Sequence, residues 1–294
     1  MLRPEWEGRT PTLPDVAARS AEAPPLVYRV DHTPLLRRTK GQTVLAFVNH
    51  ATFVIQTDAG NIVTDPVWAD PFTSFQWTWS KRYRRRPIAF DALPPIRQVL
   101  ISHDDRDHLD IPTLVALSKC HDPIFVTGMR TGRLLRTRGI ERVVELDWWQ
   151  AFNDGGLCIT MTPAQHGSGH HRLNRNRTLW GGFVIETLTT RVFFAGDTGY
   201  TAHFRGIRRR CGSIDVALLP IDYCPPTRQT EGDHLTPDDA VNAHRPRSAT
   251  KPRDKMWRLP FQVVSPPECS KRHWRVAIYR RSNSRFHASV NRSG

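Results

Sequence analysis

The stretch ISHDDRDHLD, residues 101–110, places two histidines and four aspartates directly after the apolar run Val99, Leu100, Ile101. Like charges this close repel, so a chain that leaves a strand and at once gathers these acids must fold something positive against them. Either a metal ion or a set of basic side chains meets that need. The constraint is architectural as well: an apolar strand has to end at a rim where other polar groups converge.

The same motif recurs along the chain. Asn49 and His50, Asp65, the segment His103 to His108, His166, Asp197 and Asp222 each follow an apolar, strand-like run. Polar groups at strand ends in a layered α/β protein point into a common rim, where sites are built.

The runs themselves support such a fold. TVLAFVNH, ATFVIQTD and IVTDP, with a turn at AGN, read as antiparallel hairpins. RQVLIS, PIFVTG and RVVEL read as strands that alternate with two helices, IPTLVALSK and MRTGRLLRTRG, the second ending at Gly139. Asp110 is the expected N-cap of the first, with Pro112 in its opening turn. In the second half LCITMTPAQH, TLWGGFVIE, TRVFFAGDTG and IDVALLPID read as strands, and TPDDAVNAH as a helix. Thr236 is its expected N-cap and Asp239 its N3 residue, an Asp variant of the capping box. The aromatic, basic and Pro-rich residues 69–95 read as a long loop or lid.

Charge sets the limits. The net charge is +14, but residues 245–294 hold 13 Lys and Arg against Asp254 and Glu268, so eleven of the fourteen charges belong to that tail. The organisation expected is a flexible arm over residues 1–30, a folded domain over 31–244 and a basic, aperiodic segment over 245–294. Five scattered cysteines without C-x-x-C spacing give no disulfide framework, and no run of apolar residues is long enough to span a membrane. A cytoplasmic protein is expected, with peripheral membrane contact open to it.

Within the opening stretch His103, Asp105, Asp107 and His108 form H-x-D-x-D-H. This spacing can turn nitrogen and oxygen donors toward one point, and imidazole with carboxylate suits zinc, manganese or iron. The alternative is a solvated acidic loop with capping aspartates. His166 alone reads more as a structural histidine than as a ligand, and Asp197 in AGDTG can be read as a turn residue.

The stretch SHDDRDHLD resembles the H-x-H-x-D-H signature of the metallo-β-lactamase fold. NHATFVIQTDAGNIVTDPVW, KRYRRRPIAFDALPPIRQVLISH, TPAQHGSGH, NRNRTLWGGFVIE, VFFAGDTGY, IDVALLPI and HLTPDDAVNAH follow in the order of the N-acyl-phosphatidylethanolamine-hydrolysing phospholipase D branch, with ascorbate-6-phosphate lactonase a more distant kin. The resemblance covers about residues 43–244. It implies an αββα four-layer sandwich, incomplete at its C-terminal end, and a metal-dependent hydrolase acting on a lipid or small-molecule phosphodiester, with no nucleic-acid partner.

The resemblance also implies two divalent ions, zinc first and manganese or iron as alternatives. His103, Asp105 and His166 would hold one, Asp107 and His108 the other, and Asp197 would bridge them. A hydroxide between the metals would attack, oriented by Asp107, with His234 near the substrate pocket. Arg172, Arg175 and Arg177 are candidates to attract a phosphate.

Two departures stand out. Position 105 is Asp where the family pattern has His, and the pattern's final metal-binding His, in a segment like PIHWGTF, is absent; His273 in KRHWRV lies in a different setting. A remnant with impaired catalysis is therefore the alternative reading, with a binder of nucleic acid or anionic membrane through the tail a weaker one. The abrupt change near Arg245 leads to the expectation that the tail arises from a shifted reading frame.

Overall fold

A computed structural model describes residues 26–29, 38–68, 88–169, 175–220, 232–244, 261–264 and 276–279. Strands β1 (Leu26–Arg29), β2 (Thr43–Asn49), β3 (Thr52–Thr57), β4 (Gly60–Thr64), β5 (Ile96–Ile101), β6 (Ile124–Gly128) and β7 (Val143–Leu146) form one sheet in that order. β2, β3 and β4 are antiparallel neighbours, joined by short turns. From β4 to β7 the pairing is parallel, and parallel neighbours need crossovers. Helices α1 (Ile111–His121) and α2 (Thr131–Arg136) supply two of them.

The second sheet runs β13-β14-β12-β11-β10-β9-β8. It comprises β8 (Ala151–Asp154), β9 (Leu157–Thr162), β10 (Gly182–Glu186), β11 (Arg191–Phe194), β12 (Val216–Pro220), β13 (Phe261–Val264) and β14 (Val276–Tyr279). Helices α3 (His203–Cys211) and α4 (Pro237–His244) flank it.

Alternation along single strands shows why there are four layers. In β5, Leu100 faces the other sheet, while Val99 and Ile101 pack with Leu114 and Leu117 of α1 and Leu135 of α2. In β11, Val192 and Phe194 face the first sheet, and Phe193 packs on Phe204, Ile207 and Cys211 of α3. Both faces of each central strand are therefore buried, which requires uninterrupted apolar runs and a helix layer outside each sheet. With each buried Phe or Leu contributing about 1.5–3 kcal/mol, the inner layer shared by Phe53, Leu100, Phe183 and Phe194 is a large stabilising term.

Helix starts follow the sequence reading with one change. Thr236 and Asp239 form the reciprocal box: Asp239 N–H donates to Thr236 Oγ1 at 3.0 Å and Thr236 N–H to Asp239 Oδ2 at 3.1 Å. Asp110 occupies the N-cap position of α1, but its carboxylate accepts from the Thr113 hydroxyl at 2.6 Å rather than from a backbone N–H.

Short strands lie in both terminal segments. β1 lies in the segment read as an arm and pairs in parallel with β2. The tail read as aperiodic contributes β13 and β14, and β14 pairs antiparallel with β12. Four-residue strands are too short to impose a lasting period, so the sequence pattern does not reveal them. Residues 69–87, including most of the proposed lid, lie outside the described residues, as do Arg172, Asp222 and His273. Among the described residues Cys120, Cys158 and Cys211 are free thiols, and no helix is long and apolar enough to cross a membrane.

Candidate metal centre

The centre is built where β4 and β5 end side by side. Thr64 pairs with Leu100, and the next residue, Asp65, adopts a left-handed backbone with φ 33° while its N–H donates to Leu100 O at 2.8 Å. This turns the fully buried Asp65 carboxylate toward the loop after β5. It accepts from Ser102 N–H at 2.7 Å, from Ser102 Oγ–H at 2.6 Å and from His108 Nδ1–H at 2.7 Å.

These bonds set the histidine tautomers. With Nδ1–H of His108 given to Asp65, its Nε2 faces inward, 3.3 Å from Asp197 Oδ2. Ser102 Oγ, its own hydrogen committed to Asp65, accepts from His103 Nδ1 at 2.8 Å. That leaves His103 Nε2 buried with no hydrogen-bond partner, 3.7 Å from Asp105 Oδ2 and 4.0 Å from Asp197 Oδ2. His166 follows the same rule: Nδ1–H donates to Asp233 O at 3.3 Å, and Nε2 lies 3.8 Å from Asp197 and 4.0 Å from Asp105. Three imidazoles thus hand one nitrogen to an outer acceptor and present the other to a common point, the arrangement that orients metal-binding histidines.

A turn in the acidic loop brings its members together. His108 N–H and Leu109 N–H both donate to Asp105 O, at 2.9 and 2.8 Å. Asp107 is thereby set opposite the β2–β3 hairpin, its Oδ2 3.1 Å from His50 Nε2. Asp197 arrives from the other sheet on a turn that needs glycine: Gly196 has φ 59°, and a Cβ there would stand 2.6 Å from Ser102 Cβ. His234 joins from the turn before α4, Nδ1 3.9 Å from Asp197 Oδ2.

The electrostatics show what such packing costs without a cation. Burial and the neighbouring Asp107 push the Asp105 carboxyl up to about 6. Burial opposes charge on His108, yet the Asp197 and Asp107 carboxylates outweigh it and hold its imidazole well above the ordinary histidine range. Burial, reinforced by His108, pushes His103 far down, and burial also lowers His166. Asp197 is held well below the usual carboxylate range, the surrounding imidazoles His108, His166 and His103 overcoming its burial.

The donor set fits divalent ions. His103 Nε2, Asp105 Oδ1 and Asp197 Oδ1 are buried without hydrogen-bond partners, a condition that proteins rarely leave uncompensated. Three groups have donor atoms within 4.8 Å of one another: His103, Asp105 and His166; His50, Asp107 and His108; Asp65, His103 and His108. Imidazole and carboxylate together suit zinc, manganese or iron.

All seven candidates, His103, Asp105, Asp107, His108, His166, Asp197 and His234, are gathered here, six of them about Asp197 or its ligand neighbours and Asp107 through His50. Arg175 and Arg177 are exposed on the segment joined to Ser168. The sequence reading noted Asp65 and His50 only as strand-end polar residues and missed Ser102 and Thr198. Thr198 Oγ1 accepts from Gln165 N–H at 2.9 Å, and Gly199 N–H donates to Gln165 O at 2.8 Å, which ties the His166 loop to the Asp197 turn.

Comparison with known proteins bears on the family and the fold. Residues 60–251 match the family model described as a beta-lactamase superfamily domain. An uncharacterised protein of Mycobacterium tuberculosis is 35% identical over 231 residues, covering 78% of this chain and 61% of that one. The N-acyl-phosphatidylethanolamine-hydrolyzing phospholipase D 1 of Caenorhabditis elegans is 32% identical over 212 residues, covering 68% of this chain and 59% of that one. The chain therefore spans about three fifths of the length of these curated relatives. A solved metallo hydrolase of the archaeon Ignicoccus hospitalis shares the fold, with TM-score 0.52 and 20% identity, over 68% of this chain and 76% of that one. A four-layer fold, a rim of imidazoles and carboxylates at its strand ends and a matching family model over most of the domain lead to one assignment: this chain belongs to the metallo-β-lactamase superfamily.

Proposed function

We propose that the protein is a metal-dependent phosphodiesterase acting on a lipid such as N-acyl-phosphatidylethanolamine or a related phosphodiester. The observation that carries this reading is the convergence of His103, His108, His166 and His234 on one oxygen of Asp197, with Asp105 beside them. His103, Asp105 and His166 would hold one divalent ion, Asp107 and His108 a second, with Asp197 between them. Bound there, such ions supply a Lewis acid for the phosphoryl oxygens and lower the pKa of water. The phosphodiester choice is supported by the similarity to the phospholipase D of Caenorhabditis elegans.

The chain's own groups have separable tasks. Asp65 and Ser102 fix the imidazoles of His108 and His103. Asp107, held below the usual carboxylate range because His108 and the bond from His50 outweigh its burial, stays ionised and orients a water hydrogen at its carboxylate. His234 brings a titratable imidazole to the centre, where it can hold a proton for a departing alkoxide. Arg175 passes beside Gly167, next to His166, and offers a guanidinium to phosphate oxygens.

Purified protein loaded with zinc or manganese is expected to hydrolyse N-acyl-phosphatidylethanolamine or bis(p-nitrophenyl) phosphate, to lose this activity to a chelator and to regain it on adding metal. A second reading, a remnant with impaired catalysis, is favoured by Asp105, which adds an anion to the centre and so weakens its Lewis acidity. In that case Asp105→His raises turnover from a negligible level; substantial turnover by the unaltered chain rules the remnant out.

A further inference from the structure

His50 lies at the tip of the β2–β3 hairpin, 94% buried by its neighbours, and the chain takes unusual measures to hold it there. The pairing of β2 with β3 shifts register between Phe47 and Asn49, and His50 itself has φ 40°, left-handed for a residue with a Cβ. Asn49 Nδ2–H donates to Val67 O at 2.9 Å, which anchors the tip to the segment after β4. Strain of this kind persists where the surroundings dictate it, and it gathers at functional sites. The result is that His50 Nε2 stands 3.1 Å from Asp107 Oδ2 and 3.2 Å from His108 Nε2.

A hydrogen bond from His50 to Asp107 is the simpler account, but the geometry gathers more than one pair. His108 turns Nδ1 to Asp65 and Nε2 inward, toward His50 Nε2 and Asp197 Oδ2. His50, Asp107 and His108 thus form a group whose donor atoms lie within 4.8 Å of one another. The spacings lie at or slightly below those around a shared cation. Metal–nitrogen and metal–oxygen bonds of about 2.0–2.2 Å in a tetrahedral site place ligand atoms about 3.3–3.6 Å apart. The pairs here lie at 3.1, 3.2 and 3.3 Å, tighter than the pairs around His103 and His166. The Asp197 carboxylate next to them also keeps Oδ1 buried without a hydrogen-bond partner.

We propose that His50 is itself a ligand of the second metal position, which then takes His50, Asp107, His108 and the Asp197 carboxylate. The inference rests on the reading that the centre binds two divalent ions, and it gives the hairpin of the first sheet a direct part in holding one of them. Occupancy of that position thereby ties the β2–β3 tip, the acidic loop and the Asp197 turn of the other sheet to one atom.

The test uses the full-length chain, freed of metal and then titrated with cobalt(II), with metal per chain measured after gel filtration and the visible d–d absorption followed throughout. His50→Asn is the main variant, because asparagine tolerates left-handed backbone and retains a donor for Asp107; His50→Gln is the second, and melting of the metal-free proteins controls for folding. The wild type is expected to take up about two equivalents in two spectral phases. Both variants should keep the first phase unchanged and bind the second ion at least about tenfold more weakly, with its absorption altered. Two equivalents with wild-type affinities and an unaltered spectrum in either folded variant would overturn the role given to His50. A wild type that binds one ion, unaffected by the variants, overturns it as well. A wild type that binds none removes the metal centre itself, a result that needs no variant and is distinct from failure of the His50 assignment.

Discussion

Asp65 Oδ2 accepts the Nδ1–H of His108 at 2.7 Å, and the same carboxylate, through Ser102, sets the ring of His103. One buried acid thus orients two imidazoles. Asp65→Asn can accept from His108 only by turning its amide hydrogens against the Ser102 N–H. Metal affinity is expected to fall about 10–100-fold while the first-sheet hairpins stay intact. Competition with a chromophoric chelator checks this, and unchanged affinity would show that the ring orientations do not depend on Asp65.

Asp105 gives a pH dependence with a definite sign. Its carboxyl in the metal-free fold is raised to about 6, while in the unfolded chain it titrates near the ordinary aspartate value of 3.8. Between those values the folded state holds more protons than the unfolded one, so this group's contribution to stability declines as pH rises from about 4 to 6. Urea unfolding of the metal-free wild type and of Asp105→Asn across that range isolates the effect: the stability difference, wild type minus variant, should fall with pH. A difference that rises or stays flat contradicts the raised carboxyl. Metal must displace the same proton, so affinity should increase over the same window.

Gly199 sits where the Asp197 turn passes the turn before α4, and a Cβ there would lie 1.8 Å from Gly232 O. Gly199→Ala has to push back the backbone that carries Asp233 and His234. A loss of about 1–3 kcal/mol is expected, the range for overpacking, together with weaker metal binding at His166, whose Nδ1 bonds Asp233 O. Denaturant melts and a metal titration report the two effects separately.

Phe183 is fully buried between the sheets. Phe183→Ala is expected to cost about 3–5 kcal/mol, measured by urea unfolding. A cost below about 1 kcal/mol would mean that the two sheets do not share one core.

The tail has a structural part to test. β14 covers the edge of β12, with Leu218 opposite Ile278 and Pro220 opposite Val276. Removing residues 245–294 uncovers that edge, and exposed apolar edges recruit other chains. The shortened protein should aggregate at concentrations where the full chain remains monodisperse by light scattering.

Much of this was legible in the sequence, for identifiable reasons. Runs such as VLAFV and RVFFA are apolar on both faces because helices cover the outer ones, and Thr236 with Asp239 marks a helix start by local chemistry alone. The acidic loop was legible because its donors are crowded within a few residues. Asp65 and His50 were not, since their roles arise from a parallel strand neighbour 43 positions away from His108 and a hairpin tip 58 positions away. Nothing in local spacing records such contacts. β13 and β14 escaped for the opposite reason, being too short to carry a period.

The most direct measurement is the metal content of the chain after metal removal, reconstitution with zinc and dialysis, by mass spectrometry of the elements, beside Asp197→Ala treated alike. Asp197 Oδ2 is the atom on which His103, His108, His166 and His234 converge. The wild type should retain about two equivalents per chain and the variant fewer. Less than about half an equivalent in the wild type would contradict a metal centre at these residues.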